Sequence, residues 1–351
     1  MNAAEVNKML DAQGLVYKLL YKPTSEVEQL LQETVYGTKG LLYSHLDAVE
    51  RAHNLKNGHF HTLWRNENLV ALAVYCGRQL LGSKLHSRYI RFFAVNKSEQ
   101  AKGLGKLLTV CVEQHYLNNE NIPTLFYAYI DNKNLKSMKV SGHFNGKVCG
   151  HFNTYLISRF SPKKSANVRR AHKEDKPEII RLLNSTYKNH AELHFDYLFY
   201  QNNYFVLEKN GEILAGVQAN PVKWEIVAIP GFQGFFMKYI IPAIPFVNRL
   251  FNPKTFRFTG FEGVYYKNSP KELEELFAHC LAEQGNYTAM FWADVKDDYL
   301  QEIAKSCHLG FISKVQHSPQ INFIVIPHLL SENEEQEIAD KPKYISAFDV
   351  T

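Results

Sequence analysis

A polar stretch, Ser161-Pro-Lys-Lys-Ser-Ala-Asn167, divides the chain into two parts that present the same order of elements. Strand-like text (TYLISRF) ends just before it and a new pattern starts just after, which marks a domain boundary. With 351 residues there is room for about two domains of ordinary size.

In the first part LVYKLLYKP reads as a strand stopped by Pro23, and Thr24 and Ser25 offer caps for a helix led by Glu26 and Glu28. Residues 59–79 read as a hairpin about the polar group Asn66, Glu67 and Asn68. RYIRFFAV (88–95) is another strand. In 106–117 helical spacing brings Leu108, Cys111, Val112 and Tyr116 onto one face. TLFYAYI (124–130), a short helix from Asn134 and the strands of KVCGHFNTYLISRF complete this part.

The second part opens VRRAHKEDKPEIIRLLN, a short strand and then a helix. YFVLEKNGEILAGVQAN (204–220) is a strong hairpin signal, because Asn210-Gly211 suits a two-residue turn with positive φ. Strand, helix, strand and short helix follow up to Gly310-Phe311. The predicted fold class is mixed α/β, one arrangement used twice: 1–161 and 168–327, with a hydrophobic insert at about 222–255. Residues 328–351, which contain SENEEQE, are expected to form a solvated acidic tail.

The net charge of +5 is too small to imply a nucleic-acid partner. Five scattered cysteines with no CxxC pair fit reduced thiols in a cytoplasmic protein rather than a disulfide framework. The N-terminal residues lack the pattern of a signal peptide. The run FFMKYIIPAIPFVNRLF (235–251) carries Lys238, Pro242, Pro245 and Arg249 and is too short to span a bilayer. No membrane contact is expected, and the run reads as two short helices broken at the prolines. His59 with His61, and His190 with His194, could each be half of a metal site. No third ligand is visible in sequence, and HAELH places its Glu wrongly for HExxH, so no metal is expected.

The segment that points to chemistry is FFAVNKSEQAKGLGKLLTVCVEQHYL (92–117). A strand ends at Val95, a polar loop follows, and Gly103 and Gly105 sit where a helix begins. A helix N-terminus presents unpaired amides and positive potential to an anion, and glycines allow close approach. Lys102 and Lys106 add charge at the same point.

Gln100-Ala101-Lys102-Gly103-Leu104-Gly105, after a strand and before an amphipathic helix, resembles the acyl-CoA pyrophosphate loop (Arg/Gln-x-x-Gly-x-Gly/Ala) of the GNAT acetyltransferase superfamily. Asn134, Ser137 and the turn Gly142-His143-Phe144 resemble its second motif. The resemblance covers about 15–160 and is fainter in the second part, where YYKNSPKELEELF replaces the glycine loop. It implies direct transfer of an acyl group, acetyl first, from acetyl-CoA or another acyl-CoA to a small-molecule or peptide amine. The cofactor contacts it implies are Phe93, Ala94 and Val95 for the pantetheine arm and polarisation of the thioester. Gln100, Ala101, Lys102, Gly103, Leu104, Gly105 and Lys106 would hold the pyrophosphate, with Asn134 and Ser137 on the other side. The second part, without the glycine pair, is not expected to bind CoA.

Two departures from the family pattern concern catalysis. The usual tyrosine acid is missing, leaving Tyr129 or His143 as candidates. The usual carboxylate on the strand is also missing, leaving Glu67, His86 or Tyr89. Two other functions stay open: a non-catalytic acyl-CoA-binding scaffold, and a tandem-domain transferase of the N-myristoyl or Fem aminoacyl type.

Overall fold

The computed structural model describes residues 3–37, 40–81, 85–119, 122–315 and 320–351. The first half runs α1 (Ala3–Asp11), β1 (Val16–Leu20), α2 (Ser25–Glu33), β2 (Leu42–His45), α3 (Ala48–His53), β3 (Gly58–Arg65), β4 (Asn68–Gln79), β5 (His86–Val95), α4 (Leu104–Asn119), β6 (Thr124–Asp131), α5 (Leu135–His143) and β7 (Lys147–Ser158). The second runs β8 (Val168–Arg170), α6 (Lys176–Thr186), β9 (Tyr204–Lys209) and β10 (Glu212–Ala228), then α7 (Gly231–Phe235) and α8 (Val247–Leu250). It continues with β11 (Phe256–Tyr266), α9 (Glu272–Gln284), β12 (Thr288–Asp294), α10 (Asp298–Ser306), α11 (Ile312–Val315), β13 (Ile321–His328), α12 (Glu332–Asp340) and α13 (Ala347–Val350).

The strands form one sheet in the order β1-β3-β4-β5-β6-β13-β7-β12-β11-β10-β9-β8, with β2 added on β10. Outward from the centre, β6, β5, β4, β3 and β1 match β12, β11, β10, β9 and β8. The two central strands are exchanged: β13 pairs with β6, and β7 pairs with β12. Each half therefore has its last strand bonded into the other, and the two share one sheet.

Turn chemistry sets the hairpins. Asn210 and Gly211 take φ of 54° and 76°, as the β9–β10 turn requires, and Asn66 and Glu67 do the same between β3 and β4. On α4, Leu108, Cys111, Val112 and Tyr116 are buried against β4 and β3, the face given by the helical spacing. Burial of these side chains, rather than helix propensity, holds α4 against the sheet.

Two expectations are corrected. The acidic run is a short helix, α12, closed by a capping box between Ser331 and Glu334, but the chain then turns back into the protein. Tyr344, Ile345, Ala347 and Phe348 are buried, and Thr351 is fully enclosed. Phe348 stacks on Tyr197 with ring centroids 3.7 Å apart. Four apolar side chains outweigh the acidic character of the residues before them, so 343–351 is core and not tail. The insert is also shorter than 222–255, because β10 continues to Ala228 and pairs with β2.

Candidate functional site

Strands β5 and β6 are parallel, and they pair only from His86↔Thr124 to Tyr89↔Tyr127. Beyond Tyr89 they separate, leaving the β6-facing edge of Arg91–Val95 without a strand partner among the described residues. On its other edge β5 stays paired to β4 out to Val95↔Ala71. Phe93, Ala94 and Val95 thus lie on a rigid strand with one free edge.

The loop after β5 turns through a 3₁₀ turn at Lys97–Glu99, capped by Asn96, whose Oδ1 accepts from the Ser98 amide at 3.1 Å. Gln100 is tied back to the Val95 carbonyl at 3.3 Å. Ala101 and Gly103 have φ of 65° and 78°, a left-handed backbone that costs a residue with a Cβ about 1 kcal/mol. These turns bring the amides that head α4 out to solvent beside the end of β5. A Cβ on Gly105 would lie 3.1 Å from the Phe93 ring, so glycine is what lets α4 start against β5. Lys106 is exposed, while Lys102 is 3.2 Å from Glu99, which also binds Arg65. Asn134 caps α5, accepting from the Ser137 amide at 3.2 Å.

Side chains of β5 hold residues that the sequence did not flag. Arg91 donates to the backbone oxygens of Asp349 and Thr351, and Tyr89 donates to the Asp349 carbonyl at 2.7 Å. Next to Arg91 lies an aromatic cluster from several elements. Tyr43 stacks on Trp224 at 4.4 Å, and His45 sits 4.9 Å from Tyr36 and 5.4 Å from Trp224. Tyr129 and Val350 pack into the same apolar cluster. His45 Nδ1, the hydroxyls of Tyr36 and Tyr129, and Trp224 Nε1 are buried with no hydrogen-bond partner among the described residues. Buried polar atoms without partners are costly, and four of them lie together here, as others do around His190, Glu192 and Asp297. Burial, then Arg91 and Arg51, hold His45 well below the ordinary histidine range, so it is neutral. Burial pushes Tyr43 up to about 12.

The remaining candidates are spread out. Glu67 is exposed at the β3–β4 turn, and His86 is exposed at the paired end of β5. His143 is exposed in the last turn of α5. Tyr89 is already engaged by Asp349. Tyr129 alone reaches the aromatic cluster.

The matching place in the second half is closed. Strands β11 and β12 pair only at Thr259↔Ala289 and Gly260↔Met290, but the space beyond, lined by Glu262, Tyr187 and Tyr344, has room for about one water. Helix α9 carries Glu272, Glu274 and Glu275 in its first turn, where they complement the helix dipole and repel a phosphate. Among the described residues no group of three or more His, Cys, Asp or Glu side chains is placed to share a metal ion. His61 is instead held between Tyr17 at 2.6 Å and Tyr116 at 2.9 Å, and burial lowers it to about 2.

Set against known proteins, the chain matches no family model and no curated sequence. Solved structures do match in shape. Saccharomyces cerevisiae N-myristoyltransferase with bound myristoyl-CoA superposes with a TM-score of 0.60 at 11% identity, over 95% of this chain and 89% of that one. A second structure of it gives 0.60, 11%, 94% and 85%, and a third, with inhibitors also bound, gives 0.57, 11%, 93% and 85%. The chain therefore shares the mixed α/β fold of that N-myristoyltransferase along nearly its whole length.

Proposed function

We propose that this protein is an acyl-CoA-dependent N-acyltransferase, moving an acyl group, acetyl in the first reading, to an amine by direct transfer. One observation carries the proposal: the free edge of β5 runs straight into a loop built from left-handed Ala101 and Gly103 at the head of α4. A pantetheine arm needs such an edge and a pyrophosphate such a helix end. In this reading Phe93, Ala94 and Val95 hold the arm, and the amides from Gly103 to Lys106, with Gln100, Ala101, Lys102 and Leu104, hold the pyrophosphate. Asn134 and Ser137 serve by capping α5 beside it.

The chemistry needs a neutral amine and a proton for the departing thiolate. Arg91 and Arg51 disfavour a further positive charge near His45, so an amine is favoured there over an ammonium. His45 Nδ1 is the group we assign to accept the amine proton, and the Tyr129 hydroxyl the one to protonate sulfur. Glu67 and His143, being exposed, would act only at the rim.

The working division is 1–161 for the half with the acyl-CoA loop and 168–327 for the half that has lost it, with 343–351 completing the first. The five cysteines are free, which suits a reduced, cytoplasmic setting. A longer acyl chain is the second reading, favoured by the match in shape to a myristoyl-CoA-bound enzyme over 95% of this chain.

The test is thermal stabilisation by acetyl-CoA and by myristoyl-CoA, followed by thiol release with a panel of small amines and peptides. A shift larger for one acyl chain, with turnover, assigns the donor. The absence of a shift with either would sink the proposal, and a shift without turnover on any amine would leave a binding scaffold.

A further inference from the structure

We propose that the insert between β10 and β11 docks in the plane of an anionic lipid surface, independently of the acyl-transfer reading. Its helical turns run from Gly231 through Pro242 to Ala243, break at Ile244–Phe246 and resume at Val247–Leu250, and no helix among the described residues is long and apolar enough to cross a membrane. The insert nonetheless leaves its large apolar side chains in water. Phe232 is 85% exposed, Phe246 65%, Tyr239 58% and Phe235 55%, with Phe236 and Ile244 beside them. Single exposed apolar residues are ordinary; this many within fifteen residues form a patch that needs a partner.

The charges around the patch identify that partner. From Ile226 to Phe261 the chain contains no Asp or Glu, while Lys238, Arg249, Lys254 and Arg257 all fall there. Arg249, Lys254 and Arg257 are exposed and have no carboxylate partner among the described residues. Lys223, also exposed, is the register partner of Arg257 at the base of the insert. Aromatic residues framed by cations that lack carboxylate partners, with Arg249 lying over the Phe246 ring at 5.2 Å, are the composition of a segment lying at the headgroup level of an anionic bilayer. A second copy on the same face would set cation against cation. The chain's own core takes only Ile229, Leu250 and Phe251 from this region, so folding has already used what it can cover. The insert leaves β10 at Ala228, four residues beyond Trp224, so docking would bring the aromatic cluster toward lipid. This revises the expectation of no membrane contact.

The test is co-sedimentation of the full chain with extruded vesicles of phosphatidylcholine alone or with about 30% phosphatidylglycerol, at about 0.1 M and 0.5 M salt. The expected result is binding to anionic vesicles at least about five-fold above that to neutral ones, weakened at high salt. Phe232→Ser with Phe246→Ser, and separately Arg249→Glu with Lys254→Glu, should each reduce it about ten-fold with the melting temperature unchanged. No binding, or binding that both double variants keep, would overturn the proposal. So would a concentration-dependent dimer, without vesicle binding, that Phe232→Ser with Phe246→Ser abolishes.

Discussion

The guanidinium of Arg78 on β4 grips the carboxylate of Asp349, 271 residues further along the chain, through hydrogen bonds of 2.6 and 2.5 Å. Both side chains are about 1% exposed. Burial alone would raise Asp349, but Arg78 and His194 more than offset it and hold the carboxyl below its usual range. The pair fixes segment 343–351 against side chains of β4, β5 and β11, and with it the oxygens that Arg91 binds. Asp349→Ala leaves the buried guanidinium with only the one-third-exposed Asp196, 3.3 Å from its Nε, and should cost about 3 kcal/mol in urea unfolding. Arg78→Leu combined with Asp349→Leu should recover most of that loss. A single-variant loss below about 1 kcal/mol would mean the segment is not docked as described.

Gly103 tests the loop. Its φ of 78° makes any side chain unfavourable by about 1 kcal/mol, a small fraction of the stability of a chain this size. Nothing lies within 4 Å of a Cβ built there, so Gly103→Glu places a carboxylate at the head of α4 without disturbing packing. The expected result is a variant that melts within a few degrees of wild type but shows no stabilisation by acyl-CoA. Gly105→Val should lose the same stabilisation by a different route, because its methyls would push on Phe93. Stabilisation retained by both variants would move the site elsewhere.

Much of this loop was legible in the sequence, because glycine spacing at a strand–helix junction reports backbone conformation directly. The two hairpins and the apolar face of α4 were legible for the same local reason. The exchange of β7 and β13 was not, since alternation identifies a strand without naming its partner. His45 escaped notice because β2 has only four residues and gets its environment from β10 and Arg91. Segment 343–351 was hidden behind the acidic run of α12, although Tyr344, Ile345, Ala347 and Phe348 in KYISAFDV were a signal in plain view.

His45 is the next test. Its ring is fixed by strand pairing at Trp224↔His45 and by Tyr36 and Trp224, so His45→Asn should fold and keep its stabilisation by acyl-CoA. A group that accepts a proton in the rate-determining step typically contributes about 10²–10⁴-fold, so kcat/KM toward the amine should fall by that range. Tyr129→Phe should lower kcat while leaving acyl-CoA binding intact. A change in kcat/KM below about two-fold for His45→Asn would remove it from the chemistry.

Glu192 gives a pH test with a definite sign. It is 2% exposed, and neither carboxylate oxygen makes a hydrogen bond of normal geometry among the described residues, with only the Ser87 hydroxyl near enough to favour the charged form. Burial pushes it up to about 7 from an ordinary 4.5, with the nearby Ser87 hydroxyl, then Arg78 and Lys343, pulling part of the way back. Between those two values the folded protein holds a proton that the unfolded chain has released. Stability from this group is therefore full below about pH 4.5, falls as pH rises to about 7, and is flat above. His45 and His61, both lowered mainly by burial, act in the opposite sense, since the unfolded chain takes up their protons below about pH 6.5. The wild-type curve mixes the two, so the useful quantity is the difference from Glu192→Gln, which keeps the shape and the backbone strain at φ 57°. That variant should match wild type at about pH 4.5 and exceed it by about 2–3 kcal/mol at pH 8, measured by urea unfolding at each pH. A variant less stable than wild type at pH 8 would mean that Glu192 is ionised there and paired with Arg78 or Lys343, reversing the sign.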